Sequence, residues 1–307
     1  MCTWLVVLLA ACSFGDEPSV CPYNVRLEYW YAGSNMENTL PIYVDNIRQY
    51  LFDSKGKLLA TATLKGDSVT GWNGDLAEGD YTLVLWGNLS ESDETPVLGG
   101  ESQELLHEEM TVSAVTNGVP PGYRGNTGRL YYGSATLSVK KGFGLHQRVY
   151  LSHAHAALTV TVRWMTDDVP PLDGIYRMRL KGIPAIYSFT TGLENTTPSG
   201  DATYYLPGIS GKVTYHETRA AMNYDEEVMG EFVTFRYTAS THEIWSLWCN
   251  DEQIVRDLDL NTFFAKLPMD MDRNMEQEFD LLVTIYEDRI VVTQATAADW
   301  DEGGSIG

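Results

Sequence analysis

From Val25 onward the chain is patterned in twos, and that rules out most folds. Val25, Leu27, Tyr29 and Tyr31 alternate with Arg26, Glu28 and Trp30, which places the larger apolar side chains on one face of a strand. Ile47 to Phe52 then runs through Asp53-Ser54-Lys55-Gly56 into Leu58 to Leu64. Two such runs joined by a glycine-bearing turn predict a hairpin. Gly79 closes another turn ahead of Tyr81 to Trp86 (YTLVLW), an almost wholly apolar run stopped by Gly87-Asn88. A strand with no polar face belongs at the centre of a sheet.

The same writing continues to the end. Leu105 to Val112 and Arg129 to Val139 read as strands around a Gly- and Pro-rich loop, Asn117 to Gly128. Lys140 to Gln147 (KKGFGLHQ) reads as a boundary, after which Arg148 to Trp164 opens a second sheet, with Val160, Val162 and Trp164 on one face. Tyr187 to Thr191, Phe232 to Thr238 and Ile244 to Trp248 follow. A closing pair, Phe279 to Tyr286 and Ile290 to Thr293, turns at Glu287-Asp288-Arg289. Only Asn261 to Leu267 looks helical. Many short strands without a strand–helix–strand rhythm predict an all-β protein of two tandem antiparallel sandwiches, residues 23–143 and 144–307.

Ahead of these strands stands a different kind of segment. MCTWLVVLLAAC is a short apolar run, Trp4 to Ala11, closed by two small residues and Cys12. It is far below the ~20 residues of a spanning helix but suits the apolar region of a secretory signal. Residues 1–11 are expected to be cleaved between Ala11 and Cys12, leaving Cys12 to accept a diacylglycerol, with residues 12–22 as a lipidated tether. Met1-Cys2-Thr3 supplies no basic residue before the run, which leaves a start further upstream open. The competing reading is an ordinary buried strand. Within Ser13 to Ser19 (SFGDEPS), the acids Asp16-Glu17 resemble lipoprotein sorting signals or belong simply to a solvated linker.

Charge removes one class of function. A net charge of −21 repels polyanions, so nucleic-acid binding is not expected. Once Cys2 and Cys12 are set aside, two of the four cysteines remain, Cys21 and Cys249, and sequence does not decide whether they pair.

Several motifs begin and then fail. Asp257-Leu-Asp259-Leu-Asn261 and Asp270-Met-Asp272-Arg-Asn274 open like calcium loops but carry Thr262 and Met275 where glycine belongs, and Pro268 and Leu281 where glutamate belongs. Gly208-Ile-Ser-Gly211-Lys212 lacks the first glycine and the Ser or Thr of a phosphate loop. His153-Ala154-His155 puts two imidazoles on one face of a strand, but spacing names no third ligand, so no metal is assigned. No catalytic residue and no cofactor is assigned either.

The tract VRLEYWY, the segment IRQYLFDSKGKLL, the strand GDYTLVLWGN, the opening HAALTVTVRW and the end IVVTQATAADW, in that order behind a lipobox, resemble the anchor-subunit family of Bacteroidales fimbriae, the fimbrillin-associated lipoproteins. The resemblance implies two transthyretin-like β-sandwiches that hold the base of a fimbrium to the outer membrane, with fimbrillin stalk subunits and membrane lipid as partners. It implies no active site. Stalk subunits of this type lose their first strand to a protease that cuts after arginine. Here no Lys or Arg lies between Cys12 and Arg26, and Arg26 falls inside the first strand. That strand is expected to stay, and the segment Ile290 to Trp300, with Ile290, Val291, Val292 and Thr293 as the candidate partner strand, either offers an edge to the last stalk subunit or is an ordinary terminal strand of the second sandwich. The rival from another class is a glycan-binding surface lipoprotein that stacks sugars on Trp30, Trp72, Trp245 or Trp248. Burial of these rings decides between the two.

Overall fold

The computed structural model of the chain describes residues 23–34, 36–89, 97–99, 111–113, 116–117, 122–123, 126–166, 175–184, 186–188, 202–210, 212–213, 226–268, 270–272 and 274–294. Regular structure among them is almost all strand. The first half contributes β1 (Val25–Tyr31), β2 (Asn46–Asp53), β3 (Leu58–Lys65), β4 (Gly71–Gly74), β5 (Gly79–Gly87), β6 (Val97–Gly99), β7 (Thr111–Ser113), β8 (Thr116–Asn117), β9 (Gly122–Tyr123), β10 (Tyr131–Val139) and β11 (Leu145–His153). A single helical turn, α1 (Leu40–Tyr43), links β1 to β2. Seven of these strands form one sheet in the order β3-β2-β5-β10-β11-β1-β4.

That sheet folds back on itself because β11 changes partner along its length. Its last residues pair with β10, and Leu145 to Leu151 pair with β1. The β11-β1-β4 part thus faces β2-β5-β10. Val25, Leu27, Tyr29 and Tyr31 pack between them against Ile47, Leu51, Leu83, Leu85, Tyr131 and Leu151. The predicted hairpin forms: the Asp53 Oδ1 accepts from the backbone N–H groups of Lys55 (2.8 Å) and Lys57 (2.9 Å), and Gly56 takes a φ of +79° that a side chain would resist. These backbone donors, Lys57 foremost, hold the Asp53 carboxyl below the usual carboxylate range. As expected, β5 is central, and Leu83, Val84, Leu85 and Trp86 all have no exposed surface. Leu83 and Leu85 serve the first core. Val84 and Trp86 face the other way, with the Trp86 ring 5.0 Å from Tyr132 and 6.0 Å from Tyr187.

The second half contributes β12 (His155–Met165), β13 (Ile175–Ile183), β14 (Ile186–Ser188), β15 (Ala202–Ser210), β16 (Lys212–Val213), β17 (Glu226–Phe235), β18 (Ile244–Cys249), β19 (Glu252–Asp259), α2 (Leu260–Phe264), β20 (Glu278–Tyr286) and β21 (Ile290–Gln294). They build a sheet β16-β17-β12-β20-β21 and a sheet β19-β18-β13-β15-β9-β8, while β14, β7 and β6 form a small third. Leu158, Val160, Val162 and Trp164 of β12 meet Met178 and Leu180 of β13 and Trp245 and Leu247 of β18 in one core. The bulge near the end of β13 depends on Gly182, whose φ is +75°; a Cβ there would lie 2.1 Å from the His242 carbonyl oxygen.

Three details correct the sequence reading. Arg148 to Trp164 is two strands, not one: Leu145–His153 belongs with the first sheet, and the chain crosses to the second at Ala154. The sheets are mostly antiparallel, yet β1 pairs with β11 and β12 with β20 in parallel. Parallel neighbours need a long return path, which the intervening strands supply in each half. The helix is Leu260–Phe264 rather than Asn261 to Leu267, because the Asp259 carboxylate caps it one residue earlier than the pattern suggests.

Candidate functional site

The resemblance implies a protein that holds others, and for that task the strand that fills its own sheet and the strand left at an edge are the features to locate. β1 is interior. It is hydrogen-bonded to β11 along its whole length and to β4 over Val25 to Glu28. Its four inward side chains are essentially buried, each worth about 1.5–3 kcal/mol of transfer free energy. The Arg26 side chain is exposed, but its backbone is locked into this ladder. A protease that requires an extended, accessible substrate finds none there. On the same outer face Glu28 accepts from His146 (2.9 Å) and Arg148 (3.0 Å), and the Arg148 bond is the main reason its carboxyl titrates low.

Toward the other end of the chain, β21 lies at the edge of its sheet among the described residues, paired on one side with β20. Ile290, Val291 and Val292 are half-buried and Thr293 is exposed. Ala11, Cys12 and Cys21 lie outside the described residues, and Cys249 is buried at the end of β18.

The acidic runs that open like calcium loops have other tasks. Asp257 forms an ion pair with Lys181, which holds its carboxyl low. Asp259 caps α2, accepting from the backbone and hydroxyl of Thr262 at 3.1 and 2.8 Å, and Asn261 donates to the Thr241 carbonyl. Around Asp270, Asp272 and Asn274 the cationic role is filled from within. The guanidinium of Arg236, only 2% exposed, donates from Nη2 to the carbonyl oxygens of Met271, Asp272 and Asn274, each at 3.1 Å. Its Nη1 reaches the His153 carbonyl at 3.4 Å. Sequence offers no sign of this, since Arg236 lies some way upstream of the loop it organises. Gly208 and Lys212 fall in β15 and β16, while Gly211 lies outside the described residues.

His153 and His155 meet at the crossing between the two halves, their rings stacked with centroids 4.4 Å apart. Burial, the largest influence on both, pulls their pKa values down to about 3 and about 4, so both are neutral at physiological pH. The third residue that spacing could not name is Glu278 at the head of β20; it contributes an oxygen within 4.8 Å of a nitrogen from each ring. Arg129 forms an ion pair with this carboxylate and also approaches Glu231 at 3.7 Å.

The tryptophans bear on the rivalry set out above and lend the glycan reading little support. Trp245 is fully buried, Trp72 packs against the first core, and the Arg148 guanidinium lies over the Trp30 ring, 4.2 Å from its centroid. Trp248 is half-buried, with Nε1 donating to the Ser246 hydroxyl at 3.1 Å. Among the described tryptophans Trp86, Trp164 and Trp245 are buried and Trp30, Trp72 and Trp248 are half-buried, so none stands fully exposed.

One buried acid gives a test of the core. Glu243 has no exposed surface, and burial raises its pKa to about 7. A carboxyl whose folded value lies above its unfolded one near 4.5 contributes stability below that value and loses it as pH rises through about 7. Glu243→Gln should therefore gain on the order of 2 kcal/mol over the parent at pH 8 and little at pH 4.5. Urea midpoints at the two pH values check this; an equal difference at both contradicts it.

The sequence model of the family described as fimbrillin-A associated anchor proteins Mfa1 and Mfa2 matches residues 17–286. The chain belongs to that family. Membership in the fimbrillin-associated anchor family gives it a fimbria-associated role at the cell envelope. The fold is similar to that of the fimbrial anchor protein Mfa2 from Porphyromonas gingivalis, with a TM-score of 0.62 and 18% identity over 89% of this chain and 96% of that one. It is also similar to a candidate adhesin from Bacteroides thetaiotaomicron, with a TM-score of 0.70 and 18% identity over 92% and 98% of the two chains. A candidate polysaccharide-binding protein from the same species has a TM-score of 0.61 at 12% identity, covering 90% of this chain and 99% of that one. At these identities the likeness is one of fold. Among curated proteins, none matches the sequence. No helix among the described residues is long and apolar enough to cross a membrane.

Proposed function

We propose that this chain fastens the base of a fimbrium to the outer membrane and ends the polymer there. One observation carries the reading: β1 is an interior strand, paired on both sides and anchored by Val25, Leu27, Tyr29 and Tyr31. A subunit that accepts a neighbour's strand must vacate a place in its own sheet, and here that place is filled. Growth stops where no groove opens. The two halves repeat one arrangement, an opening strand flanked by a parallel late strand and an antiparallel one, which supports a pair of transthyretin-like sandwiches. Attachment to the stalk falls to the free side of β21, where Ile290, Val291, Val292 and Thr293 offer a main-chain ladder to one stalk subunit. Attachment to the membrane falls to lipid on Cys12. The role is structural rather than catalytic.

Deletion of the gene tests termination. Electron microscopy should show filaments longer than those of the parent, because the subunit that closes the series is gone. Filaments of unchanged length would overturn the reading.

A further inference from the structure

We propose that His153, His155 and Glu278 bind one divalent transition-metal ion of the zinc class, which fastens the crossing between β11 and β12 to the head of β20. The inference stands independently of the anchoring role.

The hydrogen bonds around the two rings assign their protons. The Nδ1 of His155 lies 2.7 Å from the Leu130 carbonyl oxygen, which can only accept, so Nδ1 carries the hydrogen and Nε2 bears a lone pair. The Tyr31 hydroxyl donates to Glu276 Oε1 at 3.0 Å and therefore accepts, at 3.0 Å, from Nε2 of His153, which leaves Nδ1 of that ring bare. These two bare nitrogens, His153 Nδ1 and His155 Nε2, have no hydrogen-bond partner among the described residues. They belong to side chains that are 2% and 0% exposed. Buried acceptors normally find a donor. A pair of neutral imidazoles, each oriented through its far nitrogen by a carbonyl or a hydroxyl–carboxylate chain, is the arrangement in which histidines ligate metals.

Glu278 completes a two-histidine, one-carboxylate set, the three ligand atoms lying within 4.8 Å of one another. Bonds of about 2.0–2.1 Å in a tetrahedral site need closer spacing, of roughly 3.4 Å. Closing the gap takes a turn of the half-exposed Glu278 side chain away from Arg129 and an opening of the two stacked rings so that their bare nitrogens converge. Arg129 is not stranded by that movement, since Glu231 lies 3.7 Å away. Imidazole nitrogen selects zinc, copper or nickel over calcium or magnesium, which take oxygen. Three protein ligands leave the fourth position to water.

The site has a mechanical consequence. The histidines sit on either side of Ala154, where the chain passes between sheets, and Ala157 is the registered neighbour of Glu278. An ion there ties the two halves at their crossing, which suits a protein loaded in tension.

The full mature chain, stripped with a chelator, should bind one equivalent of Zn²⁺ in a calorimetric titration and melt at a higher temperature with it. Co²⁺ in its place should show the visible absorption of a four-coordinate site. Glu278→Gln keeps the size of the side chain and should fold as the parent does, yet weaken Zn²⁺ binding about tenfold or more. His153→Gln should weaken it further; if that variant fails to fold, Glu278→Gln decides alone. Absence of a one-to-one event in the parent, or affinity unchanged in Glu278→Gln, overturns the proposal.

Discussion

Arg236→Met should destabilise the protein by about 3–5 kcal/mol, a large part of what a domain has to lose. Methionine fills a comparable volume, so the cost is one of hydrogen bonding rather than of a cavity. The carbonyl oxygens of Met271, Asp272 and Asn274 converge on one guanidinium nitrogen, and a fourth, that of His153, faces the other. Each buried carbonyl left without a donor costs about 1–3 kcal/mol, less where water can enter. Burial pulls the guanidinium pKa down, but the group starts so high that it stays charged, and these carbonyl dipoles are its compensation. The backbone N–H of Arg236 also donates to the Tyr187 hydroxyl at 2.6 Å, so the residue joins the loop to the core beside Trp86. Arg236→Lys should recover only part of the loss, since one ammonium cannot span the same set. Urea unfolding measures all three proteins. A loss below about 1 kcal/mol for Arg236→Met would show that the loop does not depend on the guanidinium.

How far the sequence reveals this architecture depends on how local each feature is. The alternation of Val25 to Tyr31 and the Asp53–Gly56 turn are local, and the structure reproduces both. So is the almost wholly apolar run of β5, whose buried residues Leu83 to Trp86 need a covered face on each side. The strand Ile175–Ile183 is less legible, although Tyr176, Met178 and Leu180 alternate there with Arg177, Arg179 and Lys181. In that segment charge and the glycine of a bulge mask the apolar face. Partner choice is not local. Nothing in HQRVYLSH says that its neighbour is β1, about 120 positions earlier, rather than the strand that follows. The same holds for the functional features. His153 and His155 announce themselves by spacing, whereas Glu278 joins them only through the parallel register of β12 and β20, and Arg236 reaches its loop only in three dimensions.

The other large effect concerns attachment. The proposed lipid is joined at Cys12, and the first described strand begins at Val25, so none of the contacts given above involves that thiol. Each buried methylene of an acyl chain contributes about 0.8 kcal/mol of membrane affinity, and several chains together hold a protein durably where one does not. Loss of that term removes the attachment proposed here. Cys12→Ala therefore separates anchoring from folding and from stalk binding, which Arg236→Met cannot do.

Cells carrying Cys12→Ala in place of the parent gene, fractionated and imaged together, give the most direct test. The account predicts that the protein leaves the membrane fraction while remaining folded, and that fimbriae appear in the medium with this subunit at one end. Protein retained in the membrane fraction, with fimbriae still fixed to the cells, would contradict it.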